Sequence, residues 1–515
     1  MKKKPLKSLC VLLAIFIAFV FQTGCGNKGN KKETASEEIA LTIFMNVADM
    51  CTYDEDWPIF KEAAKETGIK LKSIPPNENP SSEQAFDTML SSKRFPDIIH
   101  GEFNSLNDIG KKGTLIPLED LIDKYAPHIS ELFEKYPDFK KRATADDGHI
   151  YYLPGSISGL ENSALPSTGW FIRQDWLDKL NLKQPETMQE LVEVWRAFRN
   201  NDPNGNGQKD EIPFFARVEA LNPLFALFGT QQSGYMPENG KVVFTPVTEK
   251  YKEAVKAISS WYAEGLIDEE IFTRGNSARE QLLGEDLGGS CHDWFSSTAA
   301  YSSKYTDKIP EIKFIPTAPP ENIYGEKVEF SSRRAIHGYG WGISKDNEYP
   351  IQTMEYFDFW YTDKGKDLIS YGVEGEHYSV SNGKKILNDN VLNAEGGAPT
   401  FMREIGQVEI GAIRDFDAEY QAMSEIAKKG FDLYLENGFC KPPTEFAEFT
   451  DAENVVKQKY SSDINTFAND QLRKWIMGVE DVDNTWDNYV QTINFMHLDE
   501  VTQIYQAAYE RKNIY

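Results

Sequence analysis

Cysteine, histidine and basic residues are all scarce in this chain of 515 residues, and each shortage closes off a class of function. The five cysteines (Cys10, Cys25, Cys51, Cys291 and Cys440) are widely spaced, so neither a disulfide framework nor a CxxC metal knuckle can be drawn. Seven histidines form no HExxH pair, there is no Gly-x-Ser-x-Gly elbow, and no Gly-Lys pair is followed by Ser or Thr. Zincin, α/β-hydrolase and P-loop chemistry are thereby excluded. Lys and Arg total 55 against 80 Asp and Glu, a formal charge of −25 with no basic stripe to offset it. Such a surface repels phosphate backbones, so no nucleic acid partner is expected. No apolar run reaches the ~20 residues of a bilayer span, and no repeat period points to a solenoid or propeller. What is left is ordinary globular usage, 40% apolar and 26% charged. At about 150 residues per domain, the length suits two to four domains.

The N-terminus sets the compartment. Lys2 to Lys4 precede an apolar run from Leu9 to Phe21, too short to span and right for a signal-peptide core. Gln22-Thr23-Gly24-Cys25 follows, similar to a bacterial lipobox except that Gln22 stands where Leu is usual. Residues 1–24 therefore read as a signal peptide, Cys25 as a diacylated mature N-terminus, and the Gly/Asn/Lys/Glu/Ser stretch 25–38 as a tether. Gly24-x-Gly26-x-x-Gly29 fits a dinucleotide pattern but follows a leader rather than a strand.

Strand and helix then alternate. Ile39 to Met45 and Ile69 to Ile74 read as buried strands around a helix over Trp57 to Thr67, with Asp56 as its cap and Gly68 as its end. A helix at Phe86 to Ser91 and a strand at Pro96 to His100 continue the pattern, which argues an α/β fold with a parallel sheet. Helical patterns dominate later, at Thr187 to Asn200, Glu249 to Glu264, Tyr349 to Tyr361, Ala418 to Asn437 and Asp499 to Arg511. Short β-like pieces fall at Trp170 to Ile172, Lys313 to Ile315 and Gly338 to Ser344.

One constellation carries chemistry. Asp202, Asn204, Asn206 and Asp210 place oxygens at the first, third, fifth and ninth positions of a loop, and Gly207 allows the tight turn at the sixth. The backbone carbonyl of Gln208 would be the seventh-place ligand. An EF-hand loop closes with Glu at its twelfth place; Pro213 stands there, so Glu211 must supply the last oxygens. Structural calcium is expected, against the alternative of a metal-free Asn/Gly turn.

The pieces Gly113-Thr-Leu-Ile-Pro117, Ile150-Tyr-Tyr-Leu-Pro154, Arg173-Gln-Asp175-Trp176, the calcium-like loop, Tyr371-Gly-Val-Glu374-Gly-Glu-His377-Tyr378 and Trp486-Asp-Asn-Tyr489 occur in a telling order. In that order the chain resembles the family 1 extracellular solute-binding lipoproteins of carbohydrate ABC importers, in the Gram-positive branch related to alginate-binding proteins. The resemblance implies a two-lobe, hinge-connected periplasmic-binding-protein-like fold of type II with a helix-rich second lobe. It also implies an oligosaccharide ligand, an ABC permease partner, and no enzymatic activity. The lobes would be 39–155 with 336–385, and 156–335 with 386–515. A monomer held by its lipid on the extracellular face of the cell membrane is expected.

Sugar binding needs flat apolar faces and planar polar groups. Trp170, Trp294, Tyr339 and Trp341 are the candidate plates, the last two in a glycine-flanked run that would let backbone approach a ligand. Glu374, His377 and Tyr378 would form the cleft rim on the resemblance, although a solvated helix end fits them equally. Arg333 or Arg334, if facing the cleft, would favour uronates. A secreted glycoside hydrolase or lyase, and a peptide-binding lipoprotein, remain alternatives.

Overall fold

In the computed structural model, residues 39–513 are described, apart from 46–52, 75–81, 159–164, 218–220, 331, 334–335, 443, 445 and 448. The leader, Cys25 and the tether lie outside the described residues. No helix among the described residues is long and apolar enough to cross a membrane.

The first strand forms at Ile39–Met45, where its buried Leu41, Ile43, Phe44 and Met45 drive it into a sheet. The helix after it, Pro58–Thr67, starts with Trp57 at the capping position and without a bond from Asp56. Gly68, at φ 72°, ends it in the left-handed conformation that glycine adopts without strain. Strands Ile69–Ser73 and Ile98–Glu102 pair parallel on either side of Ile39–Met45. The sheet is six-stranded and mixed rather than parallel, because Ile336–Ile343 inserts antiparallel between Ile98–Glu102 and Leu153–Ser158, with Ile413–Asp415 at the edge. Sequence periodicity could not show this, since the inserted strand returns from over 170 residues downstream of its partner.

A second sheet has four strands in the order Phe314–Thr317, Thr168–Arg173, Gly288–Trp294, Ile212–Phe215. Its core is aromatic, built on Trp170, Trp195, Phe214 and Trp261 with Trp475 and Trp486 from the C-terminal helices. The helical pattern over 418–437 breaks in two, Phe416–Ala422 and Glu425–Glu436, where Ser424 accepts from Ala427 N and restarts the helix. The 26-residue helix Asp451–Ile476, with a full capping box at Thr450 and Glu453, has no strong apolar stripe and escapes sequence reading.

Leu387, Val391, Ala398, Met402, Val408, Ile410 and Ala412 pack with Leu41, Ile43 and Trp341, and Met423 is the next to join the second core. The segment from 386 to 415 thus extends the first core, because Ile413–Asp415 completes the first sheet's edge.

Two buried charged arrangements fix local geometry. Arg173 forks onto Asp175 at 2.9 and 2.6 Å, reaches Asp286 at 2.6 Å, and lies 4.5 Å from the Trp176 ring. This explains the Arg-Gln-Asp-Trp motif as a staple of the second sheet. In the first core, helix Pro127–Lys135 lacks a local cap; Asp358 supplies one, its Oδ1 accepting from His128 N and Ile129 N at 3.0 Å each. Asp358→Ala is expected to cost about 1–2 kcal/mol, the upper range for a lost helix cap. Urea unfolding checks it, and an unchanged midpoint would refute the capping role.

Candidate ligand cleft and calcium loop

Ligands in α/β sheets sit beyond the carboxyl ends of parallel strands. In the second sheet Gly288–Trp294 and Ile212–Phe215 run parallel, and Thr168 begins the antiparallel strand at the same edge. A cavity of about 220 Å3 opens there, walled by Thr168, Trp170, Arg217, His292, Asp293 and Trp294. Asn222, Asn322, Glu326 and Glu329 border it too, as do Pro319, Pro320 and Phe330. Ser158 ends a strand of the first sheet shortly before Thr168, and Ile336 begins the returning strand after Arg333.

The polar groups of this cavity are preorganised. Arg217, two residues past its strand, directs Nε and Nη2 to the two oxygens of Asp293 at 3.1 and 3.0 Å. That carboxylate raises the already high Arg217 pKa, so the guanidinium stays charged. Arg279 approaches Asp293 from behind at 3.2 Å while bonding Ser297 and Thr298 at 2.8 and 2.6 Å. His292 Nε2 lies 2.7 Å from Glu329, and Thr168 Oγ1 is 3.5 Å from the same carboxylate. Asn322 accepts from Tyr324 N and Glu326 N through Oδ1, while its buried Nδ2 has no protein partner.

The structure separates the sequence candidates. Trp294 is 45% exposed at its strand end, whereas Trp170 is 3% exposed; both border the cavity. Tyr339 lies half-buried on the first sheet, paired with Glu102 and stacked on His100 at 6.1 Å. Burial, then Glu102 and Glu409, raise its hydroxyl pKa. Trp341 is wholly buried, its ring 4.7 Å from Phe357. A ring with no exposed surface cannot face a ligand in this conformation, so Trp341 is a core residue. The glycine at 340 likewise serves the sheet: a Cβ there would meet the Leu153 carbonyl oxygen at 2.1 Å. Glu374 is exposed in a turn and His377 and Tyr378 are buried, His377 Nδ1 accepting from Val373 N at 2.9 Å. None of the three borders this cavity. The side chains of Arg333 and Arg334 lie outside the described residues. Sequence reasoning passed over Arg217, Asp293, His292, Asn322 and Glu329; the available signal was the end of a buried strand, after Ile212–Phe215 and within Gly288–Trp294.

A larger cavity of about 730 Å3 lies beside the edge strand Ile413–Asp415. Its charged lining includes Glu131, Lys135, Asp138 and Asp363, all exposed.

The 202–211 loop is folded as its spacing requires. Gly207 has φ 80°, and Asp202 accepts from Asn206 N and Gly207 N at 3.0 and 2.9 Å. Among the described residues no three His, Cys, Asp or Glu side chains gather in metal-binding geometry. The loop's other oxygens belong to Asn204, Asn206 and the Gln208 carbonyl, however. The fit rests on Glu211: it has no exposed surface, and neither carboxylate oxygen makes a hydrogen bond of ordinary geometry. Burial raises its pKa, the amides of Glu211 and Asn204 oppose this, and Asp202 and Asp210 add to it. Glu211 leads directly into Ile212–Phe215, the strand that ends at Arg217.

Comparison with known proteins follows the same lines. The family model for bacterial extracellular solute-binding proteins matches residues 55–367. The fructooligosaccharide ABC transporter substrate-binding protein FusA of Streptococcus pneumoniae serotype 4 (strain ATCC BAA-334 / TIGR4) is 27% identical, covering 99% of both chains. A crystal structure of alginate-binding protein AlgQ2 without calcium ion is 35% identical with a TM-score of 0.80, over 92% of this chain and 99% of that one. An EF-hand mutant of S. pneumoniae FusA in complex with fructo-nystose is 25% identical with a TM-score of 0.73, over the same 92% and 99%.

Proposed function

The chain belongs to the bacterial extracellular solute-binding proteins, and from that premise we propose that it captures an oligosaccharide outside the cell and delivers it to an ABC importer. The observation that carries the sugar is the cavity at the carboxyl edge of the second sheet. There an exposed Trp294 stands beside the Arg217–Asp293 fork. A pyranose or furanose ring offers apolar C–H faces to the indole and hydroxyls that both donate and accept to the rest. The fructooligosaccharide named for FusA and the alginate named for AlgQ2 support a saccharide over a peptide.

Closure about the connections between the two sheets would bring Tyr339 and the first sheet's edge onto a ligand held by the second lobe, so binding shifts the population toward the closed form. The Asp202–Glu211 loop would hold structural calcium through Asp202, Asn204, Asn206, the Gln208 carbonyl, Asp210 and Glu211; the EF-hand of FusA is the related precedent. Acyl chains on Cys25 would tether a single chain to the extracellular face of the membrane.

Calorimetry and product analysis against defined oligosaccharides test the reading. One-to-one binding with the sugar recovered intact is expected. Release of shorter sugars would make the protein a hydrolase or lyase, and binding of peptides alone would replace the cargo.

A further inference from the structure

The cleft's charge arrangement says more about the cargo than that it is a sugar. Among the described residues lining the second-lobe cavity, Arg217 is the one fixed cation, against the carboxylates of Asp293, Glu326 and Glu329. That cation is already committed, since Nε and Nη2 fork onto Asp293. Arg279 behind it is tied to Asp293, Ser297 and Thr298, and His292 is held by Glu329. Asp293 is 6% exposed and Glu329 4%, so these pairs are little screened by water. Resting on the saccharide reading above, we infer that this cavity selects a neutral oligosaccharide and rejects uronates.

A uronate carboxylate entering here would have to displace Asp293 from its arginines, leaving a buried charge unpaired, or lie among three like charges. A neutral hydroxyl pays neither penalty. It can donate to Asp293, Glu326 or Glu329 and accept from Arg217 Nη1, which the fork leaves over. Arg333 or Arg334 would favour uronates only if facing the cleft, and the described cavity wall favours a neutral sugar. The alginate-binding and fructooligosaccharide-binding relatives bracket the two outcomes, so resemblance alone does not decide between them.

The test is calorimetry on the calcium-supplied chain with two panels matched in length. One holds neutral fructo-, malto- and cello-oligosaccharides; the other holds oligogalacturonides and alginate oligosaccharides, each measured at low and high salt. A neutral ligand is expected to bind at least about 100-fold more tightly than any uronide, with the gap narrowing as salt rises. Glu326→Gln removes one like charge from an exposed position and should shrink the gap about five-fold at low salt without altering stability. Uronides binding as tightly as neutral sugars, or a gap untouched by both salt and Glu326→Gln, would overturn the inference while leaving the saccharide reading intact. Failure of both panels would bring down that reading and the inference with it.

Discussion

Chelating calcium should lower the melting temperature of this protein by several degrees and weaken its ligand binding at the same time. With a dissociation constant near 1 μM, within the range of sensor-type loops, 1 mM calcium would add about 4 kcal/mol to the folded state. The loss reaches beyond the loop because of what Glu211 is joined to. It precedes Ile212–Phe215, which delivers Arg217 to the cleft, and Asn204 Nδ2 bonds the Asp286 carbonyl at 3.1 Å. The Asp286 carboxylate in turn holds Arg173 at 2.6 Å. Without the cation Glu211 is a buried carboxylate with no compensating charge. Its raised pKa then costs stability: the folded, metal-free chain binds this proton more tightly than the unfolded one, so stability falls as pH rises past the ordinary carboxylate value of 4.5. Calcium reverses that sign, because only the ionised form ligates, and acid should therefore weaken calcium binding. Glu211→Gln should abolish the calcium response of the melting temperature. A melt indifferent to chelator, in protein shown to be metal-free, would remove the ion from the loop.

Trp294→Ala should weaken oligosaccharide binding by about 2–3 kcal/mol, roughly 30- to 150-fold, as loss of an interfacial aromatic anchor does. The residue is 45% exposed, so the melting temperature should barely move. Trp341 offers the matched contrast. That ring has no exposed surface and sits between Phe357, Tyr356 and Trp360 at 4.7, 6.0 and 6.2 Å. Trp341→Ala should cost about 3–5 kcal/mol of stability through the cavity it leaves. Calorimetric titration paired with thermal melts separates the two. Equal affinities for wild type and Trp294→Ala would move the sugar plate elsewhere, Tyr339 first.

The contrast between these two tryptophans shows where sequence reasoning stops. Trp341 sits among glycines and Trp294 beside His292, Asp293 and two serines, and neither neighbourhood says whether the ring will be covered. In a strand, neighbouring residues point to opposite faces, so exposure depends on register and on what covers each face. Trp294 ends its strand at an open edge; Trp341 lies mid-strand under the helix Pro350–Phe359. The same reason hid the Arg217–Asp293 fork, whose partners are 76 positions apart, and the Asp358 cap, which acts across 230.

What the sequence determined by itself is whatever neighbouring residues settle among themselves. The first strand at Ile39–Met45, the helix stop at Gly68 and the oxygen spacing from Asp202 to Glu211 are all of this kind. Each rests on periodicity, a left-handed glycine or a short loop, and so on contacts within about a dozen residues. Only the tertiary structure decided that Ile336–Ile343 enters the first sheet antiparallel and that residues 386–415 belong to the first core. It alone chose the rings and charges that line the second sheet's cavity. Those outcomes depend on strands and side chains meeting across long stretches of chain, and burial, not local propensity, selects the partners.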